Sequence, residues 1–467
     1  MNEPGLLKSH SRRLPLIVLS NSLLVFSLIL TACAASEPKY VPPLLVRVFS
    51  ETIKSVVQTR GLTPKRDISL AGTESAVETP DFAPIEFYHG APLAEVERAY
   101  HSIGLLHDSS DFRKELEQTR ALERLIRYDP AKSTVSWSAP MTRISDALTT
   151  LDPNKVQDLA PVFAVMLALQ EQHFKWHSTV DNVSLDDRRS AFRAVAAGDA
   201  FLTLRDPTIE ETDAKPAPAA FEISTLTAAE IDKLAAKLPN FLRRQLTFPY
   251  RAGSAFVYWA LRSSGWQGVN ALYANPPLST AEVLHPEKYF IRRETPLRFF
   301  PPDLLRRFKN GAVVEQSLGE DAIVGLLASE RSLKSAAEIA APWRGDQLFA
   351  FPQDAHLVTV WFSAWGTEKQ AQEFSRAYRA VLEARHGIRF GSTAGQKNAP
   401  LTARSRDQRA WLLQSDGSVV LLVSTTSAAN VLEIAASAWR DLEVEKETLD
   451  VRFESAQLPD QFSLKSR

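Results

Sequence analysis

The chain has 467 residues, with 54 Lys and Arg against 55 Asp and Glu and a formal net charge of -1, so no basic excess points to nucleic acid. Apolar residues make up 45% and charged residues 23%, the balance of an ordinary globular protein. The single cysteine, Cys33, excludes intrachain disulfides and thiolate metal clusters.

In chain order, the first segment reads as an address. Lys8, His10, Arg12 and Arg13 make a basic start, and the run Leu14 to Leu30 is apolar apart from Ser20, Asn21, Ser22 and Ser27. It ends in Leu30-Thr31-Ala32-Cys33, which resembles the lipobox of bacterial lipoprotein precursors. That resemblance implies cleavage before Cys33, lipid (palmitate) on its thiol and a place in the cell envelope. Ala34, rather than an acidic residue, then points to the outer membrane, facing the periplasm. The alternative is an uncleaved anchor, for which the run is barely long enough. No other apolar run is long enough to span a bilayer.

Residues 34–82 read as a tether, with Pro42-Pro43 and a stretch rich in Thr, Ser and Glu from Asp67 to Asp81. Helical spacing follows over Leu93–Leu105 and Ser110–Arg127, then a turn at Tyr128–Lys132 and a strand at Thr134–Trp137. Asp152-Pro153 predicts a helix start, and that helix continues through Gln172. From Val162 to Leu169 it is apolar almost all round, the mark of a buried central helix. A helix over Asp186–Leu204, a Pro- and Ala-rich linker at Lys215–Ala220 and a helix from Thr227 complete this half.

The last third predicts strands at Gln347–Phe351 and Leu357–Trp361, then a helix opened by a Thr367/Gln370 capping box and closed by Gly387. A hairpin follows, Trp411–Gln414 and Val419–Val423 around Ser415-Asp416-Gly417-Ser418, then a helix over Ser427–Trp439. The fold class expected is α+β: a mainly helical body, then an antiparallel sheet covered on one face. The expected divisions are 1–33 (leader), 34–82 (tether), 83–325 (helical domain) and 326–467 (α+β domain).

The segment carrying chemical information is Phe163-Ala-Val-Met-Leu167-Ala-Leu-Gln-Glu-Gln-His173-Phe174. It resembles a line of bacterial gluzincin-like zinc metallopeptidases in which this helix reads H-E-L-T-H-A-L-Q-D-Q-H-F. From Ala168 to Phe174 only Glu171 departs from that pattern. Phe163 stands where the first zinc-binding His would be, Ala164 at the general-base Glu and Leu167 at the second His. Ala197-Gly198-Asp199-Ala200 resembles the family's E-G-D-A, with Ala197 replacing the third ligand. Phe248-Pro-Tyr250, Gly265-Trp-Gln-Gly-Val269, Tyr273-Ala-Asn-Pro-Pro277, Ser279-Thr280, Leu284–Tyr289 and Ala340–Asp346 continue the likeness, over roughly Tyr88 to Ala380.

A catalytic zinc needs lone pairs from imidazoles one helical turn apart, a carboxylate from another element, and a base beside the bound water. Phe, Ala, Leu and Ala supply none of these. The resemblance therefore implies a pseudoenzyme: a lipid-anchored relative of the peptidases without cofactor, acting by binding or scaffolding, with an envelope protein or peptide as partner. Two alternatives stay open. His173 and His177, four apart, would form a displaced metal site if they shared a helix face, or the chain is purely structural. Asp186-Asp187-Arg188-Arg189 reads as a helix start on a solvated face, Gly253-Ser254-Ala255 lacks a nucleophile-elbow pattern, and His285 with Glu287 reads equally as loop structure or binding.

Overall fold

The computed structural model describes residues 43–446, except 75–85, 89, 108, 152–157, 182, 184–185, 205–216, 354–355, 393–398 and 427–430. Cys33 and the whole leader lie outside the described residues, as do Asp152-Pro153 and the start of the linker. The described residues belong to one compact unit that begins at Val41.

The expectation of a tether over 34–82 does not hold for its described part. Helix α1 (Pro43–Arg60) buries Phe49 and Val56, with Phe49 lying 6.3 Å from the Trp137 ring. Ser69–Glu74 then pairs in parallel with Thr134–Ser138, which pairs antiparallel with Ile126–Asp129. A Pro at the first position and apolar residues at 49, 53 and 56 give α1 a core-facing stripe, an outcome that the composition around it hides.

The helical body is built on α2 (Leu93–Ser102), α3 (Leu159–Phe174), α4 (Asp186–Thr203) and the long α5 (Asn240–Ala274), which kinks at Ser264 and Gly265. α4 and α5 cross at glycines. A Cβ on Gly198 would lie 2.2 Å from the Gly253 carbonyl oxygen, and one on Gly253 would lie 2.2 Å from that of Ala194. The expected helix over Ser110–Arg127 ends at Glu123, because Ile126–Asp129 is drawn into the small sheet. The linker reading of Lys215–Ala220 is also corrected: Ala217–Leu234 is one helix, and Thr227 is buried inside it.

The antiparallel sheet has seven strands: β1 (Val314–Gln316), β2 (Trp343–Gln353), β3 (His356–Trp365), β4 (Gly391–Ser392), β5 (Leu401–Arg404), β6 (Ala410–Asp416) and β7 (Val419–Thr425). Their order is β4-β5-β6-β7-β3-β2-β1. Helix α6 (Glu368–His386) is capped by Thr367, which accepts from the Gln370 amide, and ends at Gly387 with φ 60°. Its Phe374 and Tyr378 pack on Trp361 and Trp365. Helix α7 (Val431–Trp439) packs on the other face, with Val431 and Ile434 in one cluster with Val360, Phe362, Leu412 and Leu421. Both faces are therefore covered, where one was expected, because alternate residues of the central strands are apolar on both sides.

The division between 83–325 and 326–467 also closes up. Strand β1 belongs to the sheet, the Tyr378 hydroxyl donates to the Ile103 carbonyl at 2.8 Å, and Trp411 Nε1 donates to the Ser102 carbonyl at 2.9 Å. Among the described residues no helix is long and apolar enough to cross a membrane.

Candidate functional site: a cavity over helix α3

Every residue of α3 from Leu159 to Gln170 is buried except Phe163 and Leu167. Four apart, these two share one helix face, and that face looks into a cavity of about 680 Å³ including its open mouth. Ala197 and Ala200 of α4 and Pro249 and Tyr250 of α5 form the opposite walls. The Phe163 ring packs edge-on to Phe201 at 4.8 Å and nearly parallel to Tyr250 at 6.5 Å. Three positions separated by up to 34 residues in sequence, Phe163, Leu167 and Ala197, thus converge on one space. Ala164 is fully buried and does not reach it.

The rim is polar. Arg193 sits four residues before Ala197 on α4 and so faces the same way; it pairs with Glu123, which also lies 3.7 Å from Arg189. Gln170 donates through Nε2 to the Ala196 carbonyl at 2.9 Å, which turns its Oε1 toward His177 Nε2 at 3.2 Å. An amide oxygen only accepts, so His177 carries its proton on Nε2 and Nδ1 is left as an acceptor. Burial, reinforced by the Arg193 charge and opposed by Glu171, lowers the His177 pKa to about 4, so the ring is neutral at pH 7. Burial also raises the Tyr250 phenol, which stays protonated.

The displaced-site reading of His173 and His177 does not survive. Helix α3 ends at Lys175, whose φ of 51° is left-handed, and His177 belongs to the next helix, Trp176–Asp181. His173 Nε2 bonds instead to the Thr63 carbonyl at 2.8 Å, beside the chain that leaves α1, and burial lowers its pKa. In the cavity the usual zinc-ligand types are one imidazole and a carboxylate already held by two guanidiniums, a set that does not fit a zinc ion. Among the described residues no three His, Cys, Asp or Glu side chains are grouped to hold a metal.

The residues retained from the resemblance have structural work. Gln172 accepts from the Lys65 and Arg66 amides at 2.8 and 3.2 Å, and Phe174 stacks on Tyr273 at 4.1 Å. Asp199 is fully buried: it accepts from Arg60 Nε at 2.6 Å, Arg60 Nη2 at 3.2 Å and the Tyr273 hydroxyl at 2.6 Å. Arg60 also lies 4.7 Å from the Trp266 ring centroid. Asp346 accepts from the amides of Leu318 and Gly319, both at 2.9 Å, and from Trp343 and Trp361.

Other candidates settle as structure. Asp186 and Asp187 are buried rather than solvated, because Asp186 accepts from Tyr88 and Tyr100 and Asp187 from the Thr280 amide. Ser254 is buried against Ser224. His285 meets Glu320 at 2.8 Å, with Glu287 further off at 3.8 Å. Sequence reasoning missed Glu123 and Arg193. Arg193 was open to detection from its spacing to Ala197, whereas Glu123 comes from a distant helix.

With this geometry in view, comparison with known proteins finds one likeness. Residues 306–435, covering β1 to β7 and the start of α7, match a domain of unknown function (DUF8575). No curated protein and no solved structure matches the chain.

Proposed function

We propose that this is a lipid-anchored envelope protein that binds an apolar side chain of a peptide or protein partner in the Phe163 cavity and does not cleave it. The observation that carries the reading is the opening over Phe163 and Leu167 in a helix otherwise buried to Gln170. A purely structural successor to an enzyme gains stability by filling such a space with side chains, since interiors pack closely. Here the space remains, with apolar walls and a few polar groups at the rim, the usual make-up of a ligand site. The tyrosine hydroxyl and His177 Nδ1 give a peptide backbone one donor and one acceptor. The resemblance of α3 and α4 to metallopeptidase helices supports a peptide as the ligand, and the lipobox at Cys33 supports the anchor.

The test is peptide binding by fluorescence anisotropy with a library of extended peptides, run beside Leu167→Trp, which fills the cavity. The expected result is binding without cleavage, weakened at least about tenfold in the variant, a loss of about 1.4 kcal/mol. Stoichiometric zinc with peptide hydrolysis would sink the inactive reading. Equal or absent binding in both proteins would leave the structural role. Cys33→Ser, followed by membrane fractionation, tests the anchor separately: the variant is expected to lose its lipid and leave the membrane fraction.

A further inference from the structure

A second pocket, remote from the Phe163 cavity, lies where α2 crosses the end of the large sheet. Its floor is made by Thr359 of β3 and Ser424 of β7, direct cross-strand partners. Both point to the face that carries Leu357, Trp361, Val420 and Leu422, a mainly apolar row that also holds Ser363, whose hydroxyl accepts from Trp365 Nε1. Each is buried, at 0% and 1% exposure, and neither hydroxyl oxygen has a hydrogen-bond partner among the described residues. A buried hydroxyl without a partner is costly, and a cross-strand pair of them is a feature that calls for something to bond.

The rim supplies positive charge. Arg98 reaches in from α2 and Arg409 from the turn before β6, and His356 stands beside them with Nδ1 2.6 Å from the Thr426 hydroxyl. Glu95, one turn before Arg98 on α2, is paired with it, and the Asp407 carboxylate is held low by its Ser405 hydrogen bond and in part by the nearby Arg409 charge, so the rim cations have acidic neighbours as well. The enclosed and adjoining space is about 340 Å³, at the small end of ligand sites. Five of the residues named, His356, Thr359, Arg409, Ser424 and Thr426, fall in the stretch that matches the domain of unknown function, while Arg98 comes from the helical body.

From this we infer that the pocket between α2 and the Thr359–Ser424 pair is a site for a small tetrahedral oxyanion, inorganic phosphate or a phosphate monoester. Hydroxyl donors at the floor and guanidiniums at the mouth match the oxygens of such a group, and the guanidinium fork is the side chain best shaped to hold it. Because Arg98 and Arg409 belong to the two regions that meet here, the bound anion would bridge them.

The test is calorimetric titration of the purified protein with inorganic phosphate and, separately, with glycerol 3-phosphate, against chloride at matched ionic strength. Saturable heat with either ligand is expected, and tighter binding of the ester would assign the site to an organic phosphate. Arg98→Ala and Arg409→Ala should each weaken binding at least about tenfold. The pair Thr359→Val with Ser424→Ala should weaken it severalfold, yet leave the thermal midpoint without phosphate no lower than in the parent, since it removes two unpartnered hydroxyls. No saturable heat with either ligand, which would leave water alone on the hydroxyls, overturns the inference. So does binding that the arginine and hydroxyl variants leave unchanged.

Discussion

Helix α4 has two faces of different polarity. One carries Asp199 into a closed network with Arg60, Tyr273 and Asn270, in which the acid and the guanidinium are both fully buried. The other carries Ala197 and Ala200 to an open cavity lined by both apolar and polar side chains. Two residues apart in sequence, Ala197 and Asp199 differ in their surroundings: both Asp199 oxygens have donors, while Arg60 Nη1 has no hydrogen-bond partner among the described residues. On the other face Arg193, one turn before Ala197, is already paired with Glu123, and the residue is alanine. The same contrast runs along α3, where Gln170, Gln172 and His173 all have partners and Phe163 and Leu167 face space.

The largest expected effect breaks the closed face. Arg60→Ala or Asp199→Ala strands its partner in a dry site, and each should cost about 3–5 kcal/mol in denaturant unfolding, loosening α1 from the body. Gly198→Ala places a Cβ against the Gly253 carbonyl and should cost about 3 kcal/mol by forcing α4 and α5 apart. A loss under about 0.5 kcal/mol in either case would mean that the α4 crossing is not the tight joint described, since changes of that size are ordinary for surface positions.

Smaller effects sharpen the open face. His177 is neutral in the folded protein with a pKa near 4, while the unfolded chain titrates near the ordinary histidine value. The unfolded state therefore binds more protons between these values, so stability is complete above about pH 6.5 and falls as pH drops toward 4. Allowing for the ring's contact with cavity water, the loss is about 2 kcal/mol, and His177→Gln should flatten that acid limb of the stability curve. Phe163→Ala should cost about 1–2 kcal/mol, below the ~3–5 kcal/mol of a fully buried phenylalanine, because one side of the ring already faces space.

Much of this was legible in the sequence. The all-apolar run of α3 gave its burial, the Thr367 capping box and Gly387 gave both ends of α6, and the Asp416-Gly417 turn gave the β6–β7 hairpin, with Gly417 at φ 52°. What escaped depended on distant partners. α1 joins the core through Phe49 and Val56 and through Arg60, which Asp199 receives from 139 residues away. Asp186 looked solvated because Tyr88 and Tyr100, which bury it, lie on another part of the chain. The joint positions Phe163, Leu167 and Ala197 were legible through the resemblance, but the space they share was not. A cavity is a property of packing, and helical spacing specifies only which face a residue takes.

The proposed function rests on this cavity lying where the resemblance would put a zinc site in the peptidases. The direct measurement is zinc content, by elemental analysis, of the triple variant Phe163→His, Leu167→His and Ala197→Glu beside the parent protein. Imidazoles one turn apart on α3 and a carboxylate from α4 would then converge on the cavity, as a catalytic zinc requires. The account predicts about one zinc per chain in the folded variant and far less than one in the parent. A folded variant that takes up no more zinc than the parent, or a parent that already holds one, would contradict it.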